Sequence, residues 1–341
     1  MALKLFVRLG IVLLLGAVLA AMFSPVAGSV KAASGDSGLV FTSAAQLSCS
    51  DPRCGTMATI PGNTWVPTWC WRDGGSYNGT PRWFRVSYHG QNGWVSASQM
   101  NPQPTVPYCN NLASGEALYA NESVWSPNGA YRFIMQSDGN LVEYGPSGAL
   151  WASNTGNPGS WAIMQGDGNL VVYTSGGTPV FATGTAWSGS QLVVQSDSNV
   201  VMYSGSTALW ASNWHHYGGQ ATRTWNAGDS GNCTWYAMDR WHSFWLRHLY
   251  PAISGDAQYW DESARSLGYQ VFSFPATQAV VVFEATRNNP YGHVAWVDAM
   301  RPNIGGTQIH IWEMNYIGWN QVDQRWVTIT PDMSFIPAPA I

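Results

Sequence analysis

The chain has 341 residues, of which 45% are hydrophobic and only 10% are charged, and its formal net charge at pH 7 is −4. Binding to nucleic acid or to anionic lipid depends on clustered Lys and Arg, so fifteen basic residues against nineteen acidic ones argue against both kinds of partner. Since a single core stops growing near roughly 250–300 residues, this length predicts two or three domains.

Residues 1–32 have the three-part layout of a secretory signal peptide. Lys4 and Arg8 precede an apolar run at residues 11–23, and Val30-Lys31-Ala32 offers a cleavage site of the A-x-A type. The apolar run is short for a membrane span, although a retained anchor is the alternative. We expect a secreted, extracellular or wall-associated protein without stable membrane insertion. Cleavage would remove both lysines and leave a net charge of −7.

Four of the five cysteines lie in residues 38–109, namely Cys49, Cys54, Cys70 and Cys109. In an exported segment this short, two disulfides are a better interpretation than a metal site, and three connectivities are possible. Because all four precede residue 110, we predict that Cys49 pairs with Cys54 and Cys70 with Cys109, leaving Cys233 free.

The same segment has the alternation of β-strands. Residues 83–88 predict one strand, Gly90-Gln-Asn-Gly93 a turn, and residues 93–97 the next strand. Residues 79–86 and the Gly93-Trp94-Val95 sequence resemble the bacterial SH3 domains attached to cell-wall enzymes, which implies a small all-β barrel. The Pro-rich residues 101–107 predict an extended connector to the next domain.

The middle of the chain contains one motif three times. The sequence Gln-x-Asp-x-Asn-x-Val-x-Tyr starts at residues 136, 165 and 195, at intervals of 29 and 30 residues. On a strand, the period of two would place these side chains on one face of a sheet. Asn and Asp are poor strand formers, so donors and acceptors for sugar hydroxyls explain them better than propensity does. The alternative is a hydrogen-bonded ladder between the repeats.

This pattern resembles the monocot mannose-binding, or bulb-type, lectin family over roughly residues 112–214. The resemblance implies a β-prism of three four-stranded sheets and three sites that bind mannose-like sugars without calcium. The implied sugar-binding residues are Gln136, Asp138, Asn140 and Tyr144 in repeat 1, Gln165, Asp167, Asn169 and Tyr173 in repeat 2, and Gln195, Asp197, Asn199 and Tyr203 in repeat 3.

Residues 215–341 break this pattern and begin with a predicted helix. From Cys233 to residue 248 the sequence lacks Gly and Pro, and Pro251 and Gly255 are expected to end the helix. Strands are predicted downstream at residues 279–283, 293–300 and 307–316, with a turn at 302–306.

Cys233 is the odd cysteine of five and a candidate nucleophile, because His293 and Glu313 accompany it. At a helix start, free backbone N–H groups and the helix dipole favour the thiolate. The predicted hairpin sets His293 opposite Glu313 or on a near diagonal. Glu313 or Asn315 can then hold one imidazole nitrogen while the other takes the thiol proton. The structural alternative is a buried small Cys and a core His.

The flanking sequences resemble the CHAP family of cysteine, histidine-dependent amidohydrolases and peptidases. They are Gly231-Asn232-Cys233-Thr234-Trp235-Tyr236, Gly292-His293-Val294-Ala295 and Glu313-Met314-Asn315. The resemblance implies a papain-like α+β catalytic domain at residues 220–335, with Cys233, His293, Glu313 and Asn315 in the catalytic site and no cofactor or metal. Two positions depart from the family: Asn232 stands where Gln often precedes the Cys, and Gln278 where Gly often opens the strand before His293.

Together these features predict a multidomain, secreted peptidoglycan hydrolase, a cysteine-dependent amidase or endopeptidase. Its SH3-like and lectin modules would hold it on peptidoglycan and mannose-like cell-surface glycans, which raises its concentration at an insoluble substrate. The alternative is a secreted carbohydrate-binding lectin, of adhesin or lectin-type bacteriocin kind, whose C-terminal domain is inactive. Either the muramoyl–alanine amide or a peptide cross-link fits as the scissile bond.

Overall fold

The computed structural model describes residues 37–216, 218–245 and 247–340, and the predicted signal peptide lies outside them. Three units follow one another along the chain: an N-terminal sheet, a prism of three sheets, and a C-terminal sheet covered by helices. Among the residues described, no helix is both long and apolar enough to cross a bilayer.

The N-terminal unit is an antiparallel sheet. Its strands are β1 (Ser37–Val40), β2 (Ala44–Leu47), β3 (Thr56–Ile60), β4 (Thr64–Tyr77), β5 (Thr80–Tyr88) and β6 (Gln91–Ser96). They pair in the order β1-β4-β5-β6-β2-β3. The turn predicted at residues 90–93 lies instead at His89 and Gly90, whose φ angles of 50° and 77° suit a two-residue hairpin loop. The SH3-like assignment stays a prediction.

Two disulfides tie this unit together, and they join Cys49 to Cys54 and Cys70 to Cys109. The second bridge links β4 to the segment that leads into the prism. Cys233 carries a free, partly buried thiol. The sulfur that the catalytic hypothesis requires is therefore available.

Twelve short strands form the prism. They are β7 (Asn111–Leu112), β8 (Ala117–Leu118), β9 (Ser123–Trp125), β10 (Arg132–Met135), β11 (Leu141–Gly145), β12 (Gly148–Ala152), β13 (Trp161–Met164), β14 (Leu170–Tyr173), β15 (Pro179–Ala182), β16 (Gln191–Val194), β17 (Val200–Ser204) and β18 (Thr207–Ala211). Sheet I has the order β12-β11-β10-β9, sheet II β15-β14-β13-β8, and sheet III β18-β17-β16-β7. The predicted three-sheet prism is confirmed, with one repeat in each sheet.

The three sheets share one apolar core. Trp151 of sheet I packs edge-on against Phe181 of sheet II and Trp210 of sheet III, with ring centroids 5.4 and 5.2 Å apart. Each sheet also takes an outer strand from residues 111–125, so the first strands interlock all three. A sheet that buries one face in a common core leaves its other face for other contacts.

The repeated motif does not lie along one strand, and that part of the prediction is wrong. In repeat 1 the Gln136 N–H donates to the Asn140 carbonyl at 2.8 Å, so residues 136–140 form the turn between β10 and β11. Repeats 2 and 3 close the same turn at 2.8 and 2.9 Å. The turn conformation wins because Asp and Asn favour turns over strands. Only the Val and the Tyr of each motif lie in a strand.

The C-terminal unit is an α+β arrangement. Its strands are β19 (Thr222–Arg223), β20 (Tyr250–Pro251), β21 (Ala279–Phe283), β22 (His293–Asn303), β23 (Gly306–Met314), β24 (Val322–Thr328) and β25 (Met333–Pro337), and its helices are α1 (Cys233–Phe244) and α2 (Trp260–Ser266). The main sheet has the order β24-β23-β22-β21-β25. Single turns of 3₁₀ helix occur at Ala97–Gln99, Ser212–His215 and Ala257–Tyr259.

Helix α1 packs on the main sheet through Met238 and Trp241, which share a buried cluster with Val280 and Val294. It ends at Phe244, four residues before the predicted end. Trp245 has an extended backbone, with φ −78° and ψ 125°, and its side chain is fully buried in the same cluster. Burying this indole in the core takes precedence over continuing the helix.

The structure explains why Gln278 stands where the CHAP family often has Gly. Its φ of 53° lies in the left-handed region that glycine adopts most easily. Its side chain donates to the Ala182 carbonyl at 2.7 Å and accepts from the Trp210 indole at 3.1 Å, and both partners belong to the prism. Gln278 therefore adopts a backbone conformation that is unfavourable for glutamine, and its side chain forms hydrogen bonds between the prism and the C-terminal unit.

Candidate active site

Cys233 is the first residue of α1, and its thiol faces His293. Burial, the largest influence on this thiol, acts to raise its pKa. The hydrogen bond and positive charge of His293, with backbone hydrogen bonds from Val294 and Thr234, outweigh burial and hold the pKa of Cys233 below its ordinary value. The site therefore favours the thiolate, which is the nucleophilic form of cysteine.

His293 opens β22 and joins the thiol to a carboxylate. Its Nε2 lies 2.7 Å from Oε2 of Glu313, which leaves Nδ1 as the ring nitrogen for Cys233. Burial acts to lower the pKa of His293, but hydrogen bonds to Cys233 and Glu313 and their charges raise it to about 9. Both shifts favour a thiolate beside an imidazolium.

Glu313 is fully buried on β23 and is held from two sides. Burial acts to raise its pKa, but the hydrogen bonds and charges of His293 and Arg325 bring that pKa below its ordinary value. Arg325 donates from Nε to one carboxylate oxygen and from Nη2 to the other, the latter at 3.3 Å. The guanidinium also lies over the Tyr316 ring, 4.0 Å from its centroid.

Among the residues described, no hydrogen bond joins Asn315 to the imidazole of His293. Its Nδ2 donates to Oδ1 of Asn232 at 2.7 Å, so it holds the residue that precedes the nucleophile. Asn315 has a φ of 68°, a conformation that Asn tolerates better than most residues do. Of the two residues predicted to orient His293, Glu313 makes that contact, and Asn315 orients the loop before Cys233.

The thiol and the imidazole open into a cleft of ≈ 830 Å³. Its walls come from the loop before α1, the segment near residue 255 and the loop before β22. Tyr291 and Tyr316 line its rim and are 65% and 57% exposed. No cluster of three or more metal-binding side chains occurs within the residues described.

The sugar-binding residues predicted from the repeats come together in a regular way. Gln136, Gln165 and Gln195 donate to the hydroxyls of Tyr144, Tyr173 and Tyr203 at 2.9, 2.8 and 2.9 Å. Asp138 and Asp167 accept from the backbone N–H of Asn140 and Asn169 at 2.9 and 3.0 Å. Asn199 of repeat 3 accepts from the Asn213 N–H at 3.2 Å. Each repeat thus gathers its polar groups at one turn.

Residues 222–315 match the CHAP domain family, so the C-terminal unit contains a CHAP domain. The chain is 34% identical over 113 residues to a probable autolysin of Staphylococcus aureus, covering 33% of this chain and 38% of that protein. It is 52% identical over 50 residues to a mannose-specific lectin of Allium sativum, covering 15% of this chain and 26% of that protein.

Among solved structures, the chain is similar to monomeric monocot mannose-binding lectins from Gastrodia elata. The identity is 39%, the match covers 30% of this chain and 96% of that one, and the TM-score is 0.29. The chain spans well under two thirds of the curated relatives that it matches, namely 38% of the autolysin and 26% of the Allium lectin.

Arg325 is the residue of this site that the sequence interpretation missed. The pairing of β23 with β24 sets Glu313 opposite Asp323, so Arg325 reaches the carboxylate from a diagonal position. The signal that could have found it is the basic residue of the polar run Asp323-Gln324-Arg325, in a segment that follows the strand carrying Glu313. Cross-strand pairing of opposite charges would have pointed to Arg325.

Replacing Arg325 by Met should lower the rate of substrate cleavage about tenfold, because a charge-assisted hydrogen bond contributes roughly 1.5–3 kcal/mol. Since Arg325 holds the pKa of Glu313 down, its loss raises that pKa, and activity on acidification should fall at a higher pH than in the wild type. The pH dependence of kcat/KM measures this. Arg301→Met is the control, because the Arg301 guanidinium lies over the Trp326 ring, 3.8 Å from its centroid, and not beside Glu313. Equal profiles for the Arg325 variant and the wild type would contradict the prediction.

Proposed function

We propose that this protein is a secreted cell-wall hydrolase that cleaves an amide or peptide bond of peptidoglycan through Cys233. The observation that carries the proposal is the continuous relay from the Cys233 thiol through His293 to the buried Glu313, at the wall of an open cleft. The similarity of this chain to a probable autolysin of Staphylococcus aureus supports the same class of substrate.

The chemistry follows from the relay. The Cys233 thiolate attacks the carbonyl carbon, forming a C–S bond, and the carbonyl oxygen takes the negative charge. The backbone N–H of Cys233 at the start of α1 is one donor to that oxyanion, and the Asn232 side-chain amide, held by Asn315, is a second. These donors stabilise the charge that develops in the transition state.

His293 then moves the proton. The imidazolium protonates the leaving nitrogen, the C–N bond breaks, and the acyl group remains on sulfur as a thioester. Neutral His293 next takes a proton from water, whose oxygen attacks the thioester, and Cys233 leaves as the thiolate. Glu313 orients the ring through Nε2 and stabilises the imidazolium in both halves of the reaction.

The prism is proposed to bind mannose-like sugars without calcium, and the N-terminal sheet to bind the wall as an SH3-like module. The three preserved Gln–Tyr pairs support sugar binding. They equally favour the second candidate, a lectin whose C-terminal unit is inactive. The intact relay supports the enzyme over this candidate, because an inactive unit has no need of a buried carboxylate behind its histidine.

Digestion of purified peptidoglycan, followed by mass spectrometry of the soluble products, tests the proposal. Cleavage of the muramoyl–alanine amide should release stem peptides with a free amino-terminal alanine and leave glycan with a free lactyl carboxylate. Cleavage of a cross-link should release two peptides with one new amine and one new carboxylate. Binding to the wall without new termini would contradict the hydrolase and support the lectin alternative.

A further inference from the structure

The outer faces of sheets I and III have different neighbours. In repeat 1, Val142 of the motif belongs to a small cluster with Ile134 and Ala152, both from sheet I itself, and Tyr144 packs against it. In repeat 3, the corresponding Val201 belongs to a large cluster that crosses into the C-terminal unit. The exposed fractions are alike, at 2% for both valines, so the neighbours and not the exposure distinguish the repeats.

The cluster of repeat 3 joins two sheets face to face. Its members from the prism side are Val201, Leu209, Ala211 and Trp214. Its members from the main C-terminal sheet include Ala279, Val281, Ala295, Val297, Ile309 and Ile311. Tyr203, the last residue of the motif, packs against the same cluster. Burial of this much apolar surface fixes the two units against each other.

Contacts at the edge of repeat 3 cover the same outer face of sheet III. Trp214 packs against Phe272 and Phe274 with ring centroids 5.4 and 5.3 Å apart. Gln270 donates to the Asn213 carbonyl at 2.9 Å, and the N–H of that same Asn213 donates to Asn199 of the motif. The C-terminal unit therefore contacts both Val201 and the turn at Asn199 in this repeat. In repeat 2 it contacts the loop after β15, where Thr277 and Met300 donate to the carbonyls of Thr183 and Gly184, but Val171 of that motif is not part of the cluster.

Repeat 3 also differs in its turn. Gly139 and Gly168 have φ angles of 91° and 92°, and a Cβ there would lie 2.0 and 1.9 Å from a backbone carbonyl oxygen of the following loop. The third turn carries Ser198 at this position, with a φ of 67°. The close approach that requires glycine in the first two repeats does not exclude a side chain in the third.

We infer that repeat 3 is the docking surface of the catalytic unit and not a sugar site, so that sugar binds only in repeats 1 and 2 of the prism. A sugar ring that reached Gln195, Asp197, Asn199 and Tyr203 together would lie over Val201, which the catalytic sheet covers. This inference rests on the proposed sugar binding.

Equilibrium dialysis of the full chain against radiolabelled methyl α-mannoside tests the number of sites. We expect two moles bound per mole of protein, one in Asp138→Ala and in Asp167→Ala, none in the double variant, and two in Asp197→Ala. Three moles bound, or a loss of one in Asp197→Ala, would overturn the inference alone. No binding by the wild type would overturn the proposed sugar binding itself, and the two results are distinct.

A second pair of variants tests the docking without a sugar. Val201→Glu places a charge in the interface between the two sheets, and we expect faster proteolytic cleavage between the prism and the C-terminal unit. Val142→Glu is the matched control, because its cluster lies within sheet I. It should lose one mole of bound mannoside and keep the wild-type rate of cleavage between the units. Equal cleavage rates for the two variants would overturn the inference.

Discussion

Replacing Cys233 by alanine should abolish the clearing of a turbid cell-wall suspension, with a loss of at least about 10³-fold in rate. The sulfur forms the covalent bond on which both halves of the reaction depend, and no other free cysteine occurs among the residues described. The fall in turbidity with time, compared at equal protein concentration, measures the effect. Clearing at the wild-type rate would rule out the thioester mechanism.

Two controls separate lost chemistry from lost folding. Cys233→Ala should bind methyl α-mannoside as the wild type does, because the sugar sites lie in a different unit. Iodoacetamide should inactivate the wild type by alkylating Cys233, and EDTA should leave it active. Inactivation by EDTA alone would indicate a metal-dependent reaction and contradict the proposed one.

Replacing His293 by alanine should slow alkylation of Cys233 at pH 6 by about 100-fold. In the wild type, His293 has a pKa of about 9 and is therefore protonated at pH 6, where its charge lowers the pKa of the thiol. Without His293, only the backbone hydrogen bonds from Val294 and Thr234 oppose burial, so the pKa of Cys233 should rise. Each unit of increase lowers the thiolate fraction tenfold. The rate of iodoacetamide incorporation between pH 5 and pH 10 measures the shift.

His310→Ala is the matched control for this experiment. His310 lies on the same sheet but bonds to Asp298 at 2.7 Å, so the thiol should keep its wild-type alkylation profile. Wild-type cleavage activity should also decline above pH 9, as the imidazolium loses the proton that the leaving amine needs. An alkylation rate at pH 6 that is the same in His293→Ala and the wild type would contradict the ion pair.

Short-range sequence patterns predicted much of the secondary structure and the repeats. The alternation of residues 83–88 predicted β5, the apolar residues 279–283 predicted β21, and the absence of Gly and Pro after Cys233 predicted α1. The spacing of the three motif copies predicted three repeats, and the resemblance to bulb-type lectins implied the prism of three sheets that the structure has. The strand interpretation of the motif failed because its Asp and Asn residues follow their local preference for a turn. Helix propensity failed at Trp245, whose burial ended a helix that propensity would have continued.

The sequence by itself determined the candidates: one unpaired thiol, a histidine and an acid on neighbouring strands, and three copies of a polar motif. Only the tertiary structure decided how they are used. It set Arg325 behind Glu313, turned Asn315 toward Asn232 and covered Val201 of repeat 3 with the catalytic sheet. The reason is physical: composition and period specify which faces are apolar and which side chains can react. Which face covers which depends on contacts between residues far apart in the chain, and no local pattern encodes those contacts.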